Sequence, residues 1–157
     1  MADRSLILDD FLPYRLSFTS NLVSDTIAST YEALFGLTIP EWRLIAVIAE
    51  AGGITQQAIG ARTRMDKVTV SRAAIALVGR ELLARRPNPD DRRSHLLVLS
   101  EAGRTLHAAV APKALDLEAR IFACFDPEEL ARLTSMLRQI DAVTLALRDE
   151  GAAPGGG

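Results

Sequence analysis

The chain has 157 residues, is 48% hydrophobic and carries a formal charge of −2, enough for one substantial core or two small ones sharing a helix. No apolar run approaches the ~18 residues of a membrane span. The N-terminus has no secretory start, and the one cysteine, Cys124, cannot close an internal disulfide, so a cytoplasmic protein without membrane contact is expected.

The first helix is expected from about Asp10 to Leu34, capped by Asp9 or Asp10, with Pro13 tolerated in its first turn and Gly36 as its stop. Leu12, Leu16, Leu22, Ile27, Tyr31 and Leu34 give it an apolar side. Thr38-Ile-Pro-Glu41 reads as a reciprocal capping box that opens a mostly buried second helix through Trp42, Leu44, Ile45, Val47 and Ile48, ended by Gly52-Gly53. Thr55 caps a short third helix, Gln56 to about Arg62. After the turn Thr63-Arg64-Met65, Asp66 caps a fourth, Lys67 to about Arg80, whose Val70, Ala74 and Leu77 face inward. Leu82–Arg86 and Ser94–Leu99 read as two strands joined by Pro87-Asn-Pro-Asp-Asp-Arg-Arg93, a turn that its prolines and Asn/Asp residues enforce. Ser100 caps a fifth helix that Pro112 should kink. Asp126-Pro-Glu-Glu129 starts a sixth, ending near Arg148, and a small-residue tail follows.

Between Arg62 and Arg93 lie nine basic residues against four acidic ones, a net of +5 in a chain of −2. A localised basic patch concentrates affinity for a polyanion. The third and fourth helices have helix-turn-helix spacing, in which the second helix enters the major groove. From the first helix of that unit and its turn, Thr55, Gln56, Gln57 and Arg64 are candidate DNA contacts. On the second, Lys67 suits a phosphate, Thr69 and Ser71 can donate to phosphates or bases, and the fork of Arg72 fits guanine. Val68 is apolar on that polar face; it meets a thymine methyl or turns inward. At the hairpin tip, Arg92 and Arg93 suit a minor groove and a flanking phosphate, with Asp91 orienting one guanidinium. The plain alternative for both is a solvated charged surface. His95 and His107 have no acidic or cysteine partner at metal-ligand spacing, and neither a phosphate loop nor a nucleophile elbow is present. No catalytic residue, metal or cofactor is expected.

Met65-Asp-Lys-Val-Thr-Val-Ser-Arg72, then Leu82-Leu83 with Arg85-Arg86, then Asp90-Asp-Arg-Arg-Ser94 and Leu99-Ser-Glu-Ala-Gly103, resemble the MarR family of winged-helix transcriptional regulators over about residues 10–148. The resemblance implies a mainly α fold with a small β-wing: a winged helix-turn-helix flanked by long N- and C-terminal dimerisation helices. It also implies an obligate homodimer on a palindromic double-stranded operator, controlled by a small, often phenolic, effector in a crevice between the two parts. Three positions depart from the family pattern. Asp90 stands where the wing commonly has arginine, Glu81 replaces the glycine that usually follows the reading helix, and no cysteine lies near the first helix.

The expected division is a dimerisation helix over 1–36, the DNA-binding domain over 37–100, dimerisation helices over 101–148 and a disordered tail over 149–157. Dimerisation also has a physical argument. Leu115, Leu117, Ile121, Phe122, Phe125, Leu130, Leu133, Leu137, Ile140, Val143, Leu145 and Leu147 exceed what a ~70-residue winged domain can cover, the rival being a monomer folded on itself. For the effector, Tyr14, Phe18 and Trp42 supply an aromatic body, Arg15, Arg43 and His107 meet a carboxylate, and Ser17 and Asn21 add hydrogen bonds, against a plain core or ion-pair role for each. These residues point to a small phenolic or aromatic carboxylate. Two rivals remain: a regulator that senses oxidant through Cys124, otherwise a buried small hydrophobe, and a helical small-molecule-binding protein or enzyme whose winged segment is scaffold.

Overall fold

Capping chemistry sets most of the helix starts. The computed structural model describes residues 5–152. A 3-10 turn, Leu8–Asp10, leads into α1, Leu12–Phe35. The expected aspartate cap does not form. Pro13 fixes the helix start at Leu12, which puts Phe11 at the cap position without a side-chain bond, and Asp9 instead accepts from Arg15 Nη1 at 3.0 Å. Gly36 closes α1 in the left-handed region at φ 61. In α2, Ile39–Ala51, Thr38 Oγ1 accepts from the Glu41 amide. The returning arm of the expected box is missing, because Glu41 turns its carboxylate to Arg80, 3.8 Å away.

Thr55 caps α3, Gln56–Thr63, by accepting from the Ala58 amide at 3.2 Å. Asp66 caps α4, Lys67–Gly79, by accepting from the Thr69 amide at 2.8 Å. β1, Leu83–Pro87, and β2, His95–Leu99, pair antiparallel from Leu83↔Leu99 to Pro87↔His95. Ile54 adds a one-residue third edge, bridging Leu97 through both backbone bonds. A single paired residue has no period, so no pattern of residues marks it in advance.

The described residues are mostly helical with one small antiparallel sheet, and none of their helices is long and apolar enough to cross a membrane. The chain divides into two compact units after Leu117. In the first unit one core joins Ala28 and Tyr31 of α1, Leu44, Ile45 and Ile48 of α2, Ile59 of α3, Val70, Ala73, Ala74 and Leu77 of α4, and Leu82, Leu83 and Leu97 of the hairpin. Val110, on α5 (Glu101–Ile121), is fully buried in the same core, which is why the start of α5 belongs with the winged unit.

Residues 118 onward form the second unit. α5 runs as one helix through Pro112 to Ile121. Asp126 Oδ1 accepts from the Glu129 amide at 2.8 Å while Glu129 Oε2 accepts from the Asp126 amide at 2.9 Å, the reciprocal box expected there. It opens α6, Pro127–Ala152, in which no residue is buried. The helix therefore continues past Arg148 into the expected tail, whose residues 153–157 lie outside the described residues. Cys124 is exposed, in the turn before α6 rather than on an apolar helix face.

Two residues fix the junction between α4, the hairpin and α5. Glu81 holds φ +58, a left-handed conformation that glycine adopts without strain and a side-chain-bearing residue does not. Gly103 lies so close to the Leu82 carbonyl that a Cβ there would stand 2.1 Å from its oxygen. Gly103→Ala is therefore expected to cost about 1–3 kcal/mol by overpacking. Glu81→Gly is expected to gain up to ~1 kcal/mol by relieving the left-handed strain. Urea unfolding at one fixed protein concentration checks both; equal midpoints for all three chains would refute this account of the junction.

Candidate nucleic-acid interface

Asp66, Thr69 and the turn before them set how α4 is presented. Arg64 ends α3 in the left-handed region at φ 56, which turns the chain so that α4 starts immediately after Asp66. The Asp66 carboxylate takes both the amide of Thr69 and its hydroxyl, each at 2.8 Å. The Thr69 amide, then its hydroxyl, hold the Asp66 carboxyl below its ordinary value. Because the Thr69 hydroxyl proton is committed to the cap, Thr69 offers outward only lone pairs and a methyl group, not the donor expected of it.

Beyond the cap, Lys67, Val68 and Arg72 are exposed, and Thr69 and Ser71 are half-buried on the same side of the helix. Val68 is 56% exposed, so it does not turn inward. Gln56, half-buried, and Gln57, exposed, line a cleft of about 460 Å³ with Gly60, Lys67 and Val70, which brings the start of α3 beside the start of α4. The Thr55 hydroxyl accepts from the Ala58 amide at the cap and keeps its own proton for an outward partner. Arg64 is exposed at the turn.

The hairpin tip is built by side chains that bond backbone. Asn88 Oδ1 accepts from the Asp90 amide at 3.1 Å, and Asn88 Nδ2 donates to Ser94 Oγ at 2.9 Å. Asp91 Oδ1 accepts from the Arg93 amide at 2.9 Å. Asp91 thus shapes the turn and does not orient a guanidinium as expected, since a short Asx-type bond to its own chain is available first. Arg92 and Arg93 are exposed and, among the described residues, reach no carboxylate. Arg64, Lys67, Arg72, Arg85 and Arg86 are equally without one, whereas Arg62 pairs with Glu50 and Arg80 with Glu41. Seven of the nine cations in the segment are therefore free of ion pairs.

The residues expected to hold an effector fall into two groups. Tyr14, Arg15 and Phe18 cluster on α1, with the Tyr14 and Phe18 rings 6.1 Å apart and the Arg15 guanidinium 5.2 Å over Phe18. Ser17 and Asn21 are exposed on the same helix. Trp42 instead lies between Tyr31 and His107, at ring separations of 5.5 and 5.7 Å, with Arg43 exposed beside it. Tyr14 and Tyr31 are 17 positions apart on one helix, about 25 Å at 1.5 Å per residue, so a single chain does not gather the set. The sequence reading missed Tyr31 as the third ring, although its apolar-side position on the first helix was the available signal. Burial, helped by the Glu32 carboxylate, raises the Tyr31 phenol above its usual value. His107 also borders a groove of about 330 Å³ with Arg86 and Arg104, two cations the sequence reading did not assign to it. No group of three or more His, Cys, Asp or Glu among the described residues is placed to hold a metal.

A family model described as "MarR family" matches residues 35–94, from the end of α1 through the hairpin tip. An uncharacterized protein of Mycobacterium tuberculosis is 33% identical over 105 residues, 67% of this chain and 73% of the relative. The fold is similar to that of a MarR/EmrR family transcriptional regulator from Acinetobacter sp. ADP1, with TM-score 0.81 at 22% identity over 88% of this chain and 98% of that one. It is also similar to CouR from Rhodococcus jostii RHA1, solved bound to p-coumaroyl-CoA, with TM-score 0.77 at 23% identity over 87% and 95% of the two chains.

Asp66 yields a prediction with a defined sign. A carboxyl whose folded value is lowered stabilises the fold above the unfolded value, 3.8, and loses that contribution as pH falls through the lower folded value. Asp66→Ala should lower the urea midpoint at pH 7, and the gap to wild type should narrow as the pH drops below 3.8. A gap that holds constant down to pH 2.5 would show that the charged cap is not its source.

Proposed function

The chain belongs to the MarR family of DNA-binding regulators, and from that premise we propose that it is a homodimeric repressor of a palindromic operator, released by a small aromatic acid. The observation that carries the reading is the set of seven unpaired cations on α4, the turn before it and the hairpin. Cations left without carboxylates near neutrality cost the fold self-repulsion, a cost that a polyanion removes by releasing its own counterions. In this reading Lys67 holds a phosphate, Arg72 reads a base edge, Val68 meets a thymine methyl, and Thr55, Gln56, Gln57, Arg64, Thr69 and Ser71 complete the major-groove contacts. Arg92 and Arg93 flank them in the minor groove.

Apolar faces support the second copy. Leu133, Leu137, Ile140, Val143 and Leu147 recur every three to four residues along α6, and each is exposed. Leu12, Leu16 and Leu22 of α1 are exposed as well. Stripes of this kind on a single chain mark a protein interface. A two-fold pair places the two reading helices one duplex turn apart, ~34 Å, which is what makes the operator symmetric. The effector class is supported by the Tyr31–Trp42–His107 stack, by the Tyr14–Arg15–Phe18 cluster, and by CouR's p-coumaroyl-CoA in a similar fold.

Arg72→Ala is expected to cost about 1–3 kcal/mol at one operator position and relax preference there, whereas Lys67→Ala weakens all duplexes alike and flattens the salt dependence by about one unit of slope. Titrations on cognate and scrambled DNA at several salt concentrations separate the two. Equal losses for both variants on both duplexes would refute these roles, and a salt-independent affinity would refute DNA binding led by phosphates. Trp42 is the chain's one tryptophan, so hydroxylated benzoates and cinnamates should change its fluorescence at the concentrations that weaken operator binding. A panel that alters neither signal excludes this effector class.

A further inference from the structure

Helix ends leave their last carbonyls without donors from the helix itself. At the end of α1 an arginine from another helix supplies them: Arg80 Nη2 donates to the Phe35 carbonyl at 2.6 Å and Nη1 donates to the Gly36 carbonyl at 3.2 Å. Nη1 also lies 3.8 Å from the Glu41 carboxylate of α2. Arg80 directly follows α4, so one guanidinium ties the end of the reading helix to the end of the first helix, where the helix dipole is negative.

The rest of α1 is weakly held. Its only buried residues are Ala28 and Tyr31, so the helix joins the winged core by its last two turns. Apolar contacts at such a joint set a distance but leave tilt soft, whereas a planar fork on two carbonyls fixes direction. The 24 residues of α1 span about 36 Å. A tilt of about 5° at the joint moves the far end by about 3 Å, close to the ~3.4 Å rise of one base pair.

We propose that Arg80 is a positioning residue that sets the spacing of the two reading helices, by fixing the angle between α4 and the α1 arm. The inference rests on the homodimer reading above, in which α1 contributes to the interface. It predicts an effect on spacing preference, which an ordinary stabilising contact would not produce.

The test uses full-length wild type, Arg80→Ala and Arg80→Lys, each first weighed in solution. Each is titrated on duplexes carrying half-sites that wild type selects from a random pool, at the selected spacing and with one or two base pairs inserted or removed. Wild type should lose tenfold or more per base pair of misplacement. Arg80→Ala should bind the selected duplex several-fold more weakly and discriminate spacings by threefold or less. Arg80→Lys, which keeps the charge but not the fork, should fall between. A parallel loss on every spacing, or unchanged discrimination in both variants, overturns the proposal while leaving the dimer intact. A wild type that weighs as one subunit overturns the dimer reading, and this inference with it. If Arg80→Ala does not fold, Arg80→Lys and Arg80→Gln decide the same question.

Discussion

The backbone carbonyl of Leu82 is the point at which the winged unit holds together. The Leu82 amide donates to the Leu77 carbonyl at 3.0 Å, closing the end of α4, and the Ser100 amide donates to the Leu82 carbonyl at 3.1 Å, closing the hairpin. Ser100 Oγ donates to the Glu81 carbonyl at 2.6 Å and accepts from the Gly103 amide at 3.0 Å, which starts α5. Gly103 has no side chain because that carbonyl already fills the space. The junction joins α4, the hairpin and α5, and the first two carry six of the seven unpaired cations. Their mutual placement therefore rests on bonds to backbone atoms, which hold geometry better than flexible surface side chains do.

Burial is distributed to match that division of labour. The described residues of the winged unit close a core around Leu44, Ile45, Ile48, Ile59 and Leu77, all fully buried. In the second unit α6 buries nothing. A helix of 26 residues with an apolar stripe and no covered face loses stability to exposed hydrocarbon in water. The head is thus self-sufficient and the arm is not. In the homodimer proposed above, association through the arms would link folding to assembly, so concentration would enter the stability of the whole molecule.

Where local chemistry decides, the sequence was readable. Thr55, Asp66, Ser100 and the Asp126–Glu129 box cap the helices they were expected to cap, because a short polar side chain before an apolar period has few other uses. The hairpin and the inward set Val70, Ala74 and Leu77 were visible for the same reason. Readings failed where two residues compete for one partner. Glu41 left its box for Arg80, Asp91 left a guanidinium for the Arg93 amide, and Asp9 bonded Arg15 in place of a helix start. Such choices depend on residues distant in sequence or on a backbone angle, and neither shows as a period. The effector candidates were joined by residue type, while distance along α1 keeps Tyr14 far from Trp42 within one chain.

Those competitions also explain how an acidic chain keeps a cationic surface. Lone aspartates in a basic segment would ordinarily neutralise neighbouring arginines. Here Asp66 is held by Thr69 and Asp91 by the Arg93 amide, so both carboxylates are committed to backbone geometry within their own turns. A carboxylate that accepts such bonds is fixed in direction and gains little by reaching for a flexible guanidinium, since surface ion pairs return at most ~1 kcal/mol. The same two residues that order the helix start and the hairpin tip are thereby withdrawn from charge pairing. Order and free positive charge then arise together at the two places where a duplex would be read.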